Sequence, residues 1–213
     1  DVSDQLIDAG LDKIHISLQG ITNESYKRVA GVDLEFSDVI ERVKYFFENR
    51  RECKVYVKVP DGGISEAEQP VFYDLFDKIA DEVFVERMVP TWPDFDFTDF
   101  KSDDGLGYYG QPVLEHDVNV CSPIFYWMVL NHDGTASPCV VDWKHISDFD
   151  DVRKTSVYDI WNGKNMNDLR RQHLRGERRQ NALCGKCETL QYCNVDLIDD
   201  HANNILTKFE ALP

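Results

Sequence analysis

The sequence predicts an α/β half made of strand–helix units, followed by a small α+β half rich in cysteine. Three observations predict this division. β-Branched runs alternate with amphipathic helical patterns over the first ninety positions. The periodicity is then lost between Thr91 and about Val118. Beyond that, five of the six cysteines fall at Cys121, Cys139, Cys184, Cys187 and Cys193.

In the first half, Lys13-Ile14-His15-Ile16-Ser17-Leu18 alternates apolar and polar positions and reads as a strand, with Thr22 set to cap the following helix. Ser37 is expected to cap a second helix, because Phe36, Val39, Ile40, Val43 and Phe47 recur at three-to-four spacing. Lys54 to Val59 is a second strand, stopped by Pro60 and a Gly62-Gly63 turn. Ser65-Glu66-Ala67-Glu68 is a capping box opening a helix with Phe72, Leu75, Phe76 and Ile79 on one face. Val83 to Val89 is a third strand, halted at Pro90. Strand–helix units of this length imply right-handed parallel crossovers. Three strands fit the second half of a larger barrel. With Asp1 in place of a methionine and DVSDQLIDAG resembling the tail of a helix, a fragment is expected.

The Asp-, Gly- and aromatic-rich stretch that follows reads as a linker or a substrate-lining loop. Beyond it, Ile124–Leu130 and Ala136–Val141 flank Asn131-His132-Asp133-Gly134, and Asp-Gly between apolar runs predicts a hairpin. Phe125-Tyr126-Trp127 would alternate across its first strand and belong to the core. Ser156, with Asp159, caps a helix expected to run, kinked at Gly163, through Leu169 toward Leu174.

Composition narrows the function classes. Hydrophobic residues make up 42% and aromatic residues 12%, which argues for a folded domain over a disordered one. A net charge of −16 repels phosphate backbones, so nucleic acid is not expected as a partner. No apolar run approaches the ~20 residues needed to cross a bilayer, so no membrane partner is expected either.

Five clustered cysteines without a secretory signal favour metal or cluster ligation over disulfides and point to a reduced, cytoplasmic compartment. The spacing is Cys121-x12-Gly134-x4-Cys139, then Cys184-x2-Cys187-x5-Cys193. A hairpin brings Cys121 and Cys139 together, and a C-x2-C turn aims two thiolates at one centre. Four thiolates suit an iron–sulfur cluster or a tetrahedral zinc, with one cysteine to spare. A zinc-stapled, non-catalytic protein-binding module is therefore the alternative reading.

These residues resemble the SPASM and twitch auxiliary-cluster domains of radical S-adenosylmethionine (SAM) enzymes. Asp133 to Cys139 looks like the family's turn before its second cysteine, Ser156 to Gly163 its helix, and Leu169-Arg170 a later pair. Ala9 to Gly20 resembles the fourth strand of the radical SAM barrel, and Asn23 to Arg28 the helix start after it. The resemblance implies a half barrel of the radical SAM type over 1–95, a linker or substrate loop over 96–118, and the auxiliary-cluster domain over 119–213. It implies an auxiliary [4Fe–4S] cluster on Cys121, Cys139, Cys184 and Cys187, with Cys193 as a substitute ligand or a free thiol. In the complete enzyme it implies SAM, a second [4Fe–4S] cluster, a 5′-deoxyadenosyl radical that abstracts hydrogen from a peptide or sugar-like small molecule, and an electron donor such as flavodoxin or ferredoxin. Two departures stand out. The C-x3-C-x2-C motif of the SAM-cleaving cluster is absent, so the fragment alone is not expected to be competent. Full SPASM domains carry a further cysteine after three intervening residues, where this chain has Leu197, and one auxiliary cluster is expected in place of two.

Other residues have plainer readings. By the resemblance Ser17 would approach SAM. Ser17 and Gln19 end a strand where barrel enzymes place functional groups; the equal alternative is a strand-end polar residue bonding to its neighbouring loop. Lys58, also at a strand end, joins them as a candidate cofactor contact. Cys53 is expected to be a buried inert thiol, His15 a core histidine, and Arg175, Arg178 and Arg179 a solvated helix end.

Overall fold

The computed structural model describes residues 2–96, 104–147, 149–193 and 195–211, so part of the expected linker, 97–103, lies outside the described residues. The chain divides into two compact units, Asp1–Met88 and Val89–Pro213.

In the first unit, β1 (Lys13–Ser17), β2 (Lys54–Pro60) and β3 (Glu82–Glu86) pair in parallel in the order β1-β2-β3. Between and around them lie α1 (Val2–Asp8), α2 (Asn23–Ala30), α3 (Phe36–Asn49) and α4 (Gln69–Phe76). Strand alternation sends Ile14, Ile16, Val55, Val57, Val59, Val83 and Val85 to one face, where they pack with Phe36, Val43, Phe46, Phe72 and Phe76. The other face carries His15, Ser17, Tyr56, Lys58, Phe84 and Glu86, in register as His15↔Tyr56 and Ser17↔Lys58. His15 is therefore exposed, not a core histidine, and stacks on Tyr56 with ring centroids 4.9 Å apart.

The expected caps form at Thr22, which exchanges hydrogen bonds with Ser25, and at Ser65, whose N–H and hydroxyl both donate to the Glu68 carboxylate. Ser37 does not cap α3. The helix starts one residue earlier, and its Phe36 N–H donates to Oδ1 of Asn23, thirteen positions upstream. A side chain brought in by tertiary folding has displaced the local candidate. Cys53 is buried as expected.

The second unit is built around short elements. β4 (Val129–Leu130) and β5 (Thr135–Ser137) form the expected hairpin, with Gly134 at φ +87°. Its first arm is much shorter than the apolar run suggested. Pro123 sits near the start of a 3₁₀ turn over Ser122–Phe125, and the backbone reaches extended conformation only at Val129. Tyr126 and Trp127 consequently lie exposed in that turn, not in a strand core. A third strand, β6 (Asp150–Asp151), pairs with β5.

α5 (Val157–Trp161) starts at the Ser156 cap, whose hydroxyl accepts the Asp159 N–H at 3.1 Å. It ends at Asn162, and Gly163 begins a separate helix, α6 (Lys164–Leu174), so two helices replace the single kinked one. A Cβ on Gly163 would lie 2.7 Å from the Asp159 carbonyl oxygen. α7 (Thr189–Tyr192) and α8 (Ala202–Glu210) complete the unit. The described part of the 104–118 stretch is hydrogen-bonded onto it, with Tyr108 N–H donating to the Tyr192 carbonyl and Leu114 N–H to that of Gln191. No helix among the described residues is long and apolar enough to cross a membrane.

Candidate metal centre

The functional geometry begins with two local turns. Cys121 directly precedes the Ser122–Phe125 turn, so the Ile124 N–H folds back onto its sulfur. Cys139 follows β5, and the backbone N–H groups of Val140 and Val141 face its sulfur. The buried Asp142 carboxylate holds this corner by accepting the Ile146 and Ser147 N–H groups at 2.8 Å each.

The C-x2-C pair lies on a 3₁₀ turn, Cys184–Lys186, preceded by Asn181, whose Oδ1 accepts the Leu183 and Cys184 N–H groups at 3.0 Å. Gly185 passes so close to Arg179 that a Cβ would stand 2.5 Å from the Arg179 carbonyl oxygen. Arg178 clamps the turn from inside. Only 1% exposed, it donates from Nη1 to the Cys184 and Cys187 carbonyls at 2.6 and 3.2 Å, and from Nε to the Val118 carbonyl at 2.8 Å. It is not part of a solvated helix end, unlike the exposed Arg175 and Arg179.

α6 supplies the remaining support. Its inward face carries Met166, Leu169, Arg170, His173 and Leu174. Arg170 lies over the Trp161 ring at 4.1 Å and donates to the carbonyls of Ile124 and Trp161, which ties the turn after Cys121 to both helices. The His173 Nδ1 accepts the Cys121 N–H at 3.2 Å.

Together these turns bring Cys121, Cys139, Cys184 and Cys187 around one cavity, whose wall also includes Ile124, His173, Arg178 and Leu190. Cys193 does not line it. Among the described residues no three His, Cys, Asp or Glu side chains converge on a single-ion position. Burial pushes the thiols up: Cys184 to about 12, and Cys121 and Cys139 upward too, with neighbouring thiols adding to each rise. Removing these three protons is favourable only when a cation or cluster takes their place. The donor set suits iron–sulfur ligation: four thiols, backbone N–H groups already aimed at two of the sulfurs, and a buried guanidinium beside an anionic centre. Pro138 and Cys184 also border a larger open cleft lined by Arg171, Gln172 and Arg175.

In the first unit, Ser17 and Lys58 are register neighbours at the C-terminal ends of β1 and β2, and Lys58 pairs with Glu86. Gln19 lies just past β1, with its backbone N–H toward the Tyr26 hydroxyl. Sequence reasoning missed the roles of His173, Arg178 and Asn181, since nothing in their local spacing distinguishes them from solvated polar residues.

A buried site of four thiols in a small α+β unit defines a cysteine-ligated metal or cluster domain. Residues 121–188 match the family model of the SPASM domain, an iron–sulfur cluster-binding domain. The match begins at Cys121 and ends one residue after Cys187, leaving Cys193 outside. No curated protein matches the chain. Among solved structures, the crystal structure of selenomethionine BtrN in an open conformation aligns at 16% identity, covering 87% of this chain and 76% of that one, with a TM-score of 0.32.

Proposed function

We propose that this chain is the portion of a radical SAM enzyme that carries an auxiliary [4Fe–4S] cluster, held by Cys121, Cys139, Cys184 and Cys187. The observation that carries the reading is the gathering of these four half-buried thiols around one cavity within the segment that matches the SPASM domain. When bound, such a cluster supplies one-electron chemistry. The residues of this chain provide the ligands, aim backbone N–H groups at the sulfurs and, through Arg178, place positive charge beside them.

The first unit supports the wider reading. Parallel sheets normally have both faces covered, yet here one face is apolar and the other carries His15, Ser17, Tyr56, Lys58 and Glu86. That pattern suits a sheet whose second face lines the interior of a partial barrel. On this proposal Ser17, Gln19 and Lys58 contact SAM, and the complete enzyme carries a second [4Fe–4S] cluster. The complete, cytoplasmic enzyme then abstracts hydrogen from a peptide or sugar-like substrate. The cleft bordered by Cys184 and Arg171 is the face at which a flavodoxin- or ferredoxin-type donor would approach the cluster.

Single Cys→Ser variants test the ligand set. Cys121→Ser, Cys139→Ser, Cys184→Ser and Cys187→Ser are each expected to lose at least one iron per chain after anaerobic reconstitution. Cys193→Ser and Cys53→Ser should match the wild type. A Cys193→Ser protein that fails to load while Cys121→Ser loads fully would contradict the assignment.

A further inference from the structure

His173 lies in the wall of the thiol cavity with 0% of its surface exposed. One edge of the ring is committed, since Nδ1 accepts the Cys121 N–H. An Nδ1 that accepts a hydrogen bond carries no proton of its own, so the ring is neutral. A neutral imidazole that accepts at Nδ1 carries its single proton at Nε2. That nitrogen is buried and meets no hydrogen-bond partner among the described residues. A buried N–H left without an acceptor carries the full desolvation penalty of that group, and such a donor beside a candidate ligand residue calls for an acceptor.

The neighbouring polar groups do not compete for this role. The Arg178 guanidinium is engaged by three backbone carbonyls. Ser122 Oγ, also buried and unpartnered, does not line the cavity. Four thiols already supply a full ligand set, which leaves the imidazole to act as a donor and not as a ligand.

Resting on the cluster reading above, we infer that the Nε2–H of His173 donates a hydrogen bond to a sulfur of the auxiliary cluster and raises its reduction potential. The physical reason is charge. Reduction adds an electron to a centre whose sulfurs are already electron-rich, and a donor aimed at a sulfur stabilises the reduced form more than the oxidised one. His173 is thus a positioning and tuning residue that acts through the cluster.

The test compares anaerobically reconstituted wild type, His173→Phe and His173→Gln by iron and sulfide content and by potentiometric titration followed by electron paramagnetic resonance. The expected result is that His173→Phe keeps its iron and sulfide but is harder to reduce. A shift on the order of tenfold in the reduction equilibrium corresponds to about 59 mV for one electron. His173→Gln, which retains an N–H donor, should recover part of that shift. A His173→Phe protein with full cluster and unchanged potential overturns the inference, and so does one that loses iron while Cys187→Ser keeps it, which would make His173 a ligand. Wild-type protein labelled with ¹⁵N-histidine keeps the inference falsifiable should the Phe variant not fold. A weak nitrogen coupling to the reduced cluster is expected, whereas a strong, ligand-sized coupling or none overturns it. Wild type that takes up no iron and sulfide overturns the cluster reading itself, an outcome distinct from a loaded wild type whose potential ignores position 173.

Discussion

The chemistry of single residues here is dominated by burial without compensating charge. Cys184 at about 12 and Cys193 at about 11, with Cys121 and Cys139 also raised, hold their protons in the folded apo form well above the ~8.5 of an unfolded thiol. Above pH ~8.5 the unfolded chain therefore binds fewer protons than the folded one. The thiols' contribution to stability is complete below that pH and is lost as pH rises toward the folded values. Apo protein is expected to lose on the order of 1 kcal/mol of stability per pH unit for each such thiol between about 8.5 and 10.5, read as a falling Tm. Loading has the opposite dependence, because each ligand must release a proton, so cluster or metal affinity should rise with pH. An apo Tm that is flat or rising across this range would contradict the burial of the four thiols.

At the scale of elements, turns with local chemistry were legible and those set at a distance were not. The boxes at Thr22 and Ser65, the Ser156 cap and the Asp133-Gly134 hairpin rest on residues within three or four positions of each other, and all of them form. The cap of α3 comes instead from Asn23, which no local window contains. The 124–130 run is as apolar as a strand, but Pro123 fixes a 3₁₀ turn at its head. β6 is two aspartates long and leaves no periodic signal. The C-x2-C spacing was plain, whereas the dependence of its turn on Gly185 emerges only once Arg179 is seen packed against it. Gly185→Ala would force a Cβ to within 2.5 Å of a backbone oxygen. A cost of about 1–3 kcal/mol is expected, with a displaced Cys184–Cys187 pair. Urea denaturation and iron content of the variant should both fall. Wild-type values for both would show that the turn has room to relax.

Across the molecule, the cysteine spacing carried the site and the strand–helix alternation carried the first unit. Of the five clustered cysteines expected as candidate ligands, Cys121, Cys139, Cys184 and Cys187 line one cavity and Cys193 does not. Hidden from sequence were the groups that hold or face those thiols, Arg178 and His173. An arginine following Glu177 and a histidine amid polar helix residues carry no mark of burial until α6 folds against the cysteine turns. The first unit contributes a parallel sheet with one apolar and one polar face, and the second a thiol cavity whose donor set suits an iron–sulfur cluster. The most direct test of that account is the iron, acid-labile sulfide and zinc content of the chain purified without oxygen, read with its absorption spectrum. About four irons and four sulfides per chain, with a broad band near ~400 nm expected of a cysteine-ligated cubane, is the predicted result. One zinc per chain and no visible absorption after attempted iron–sulfur reconstitution would contradict it and favour a zinc-stapled binding module.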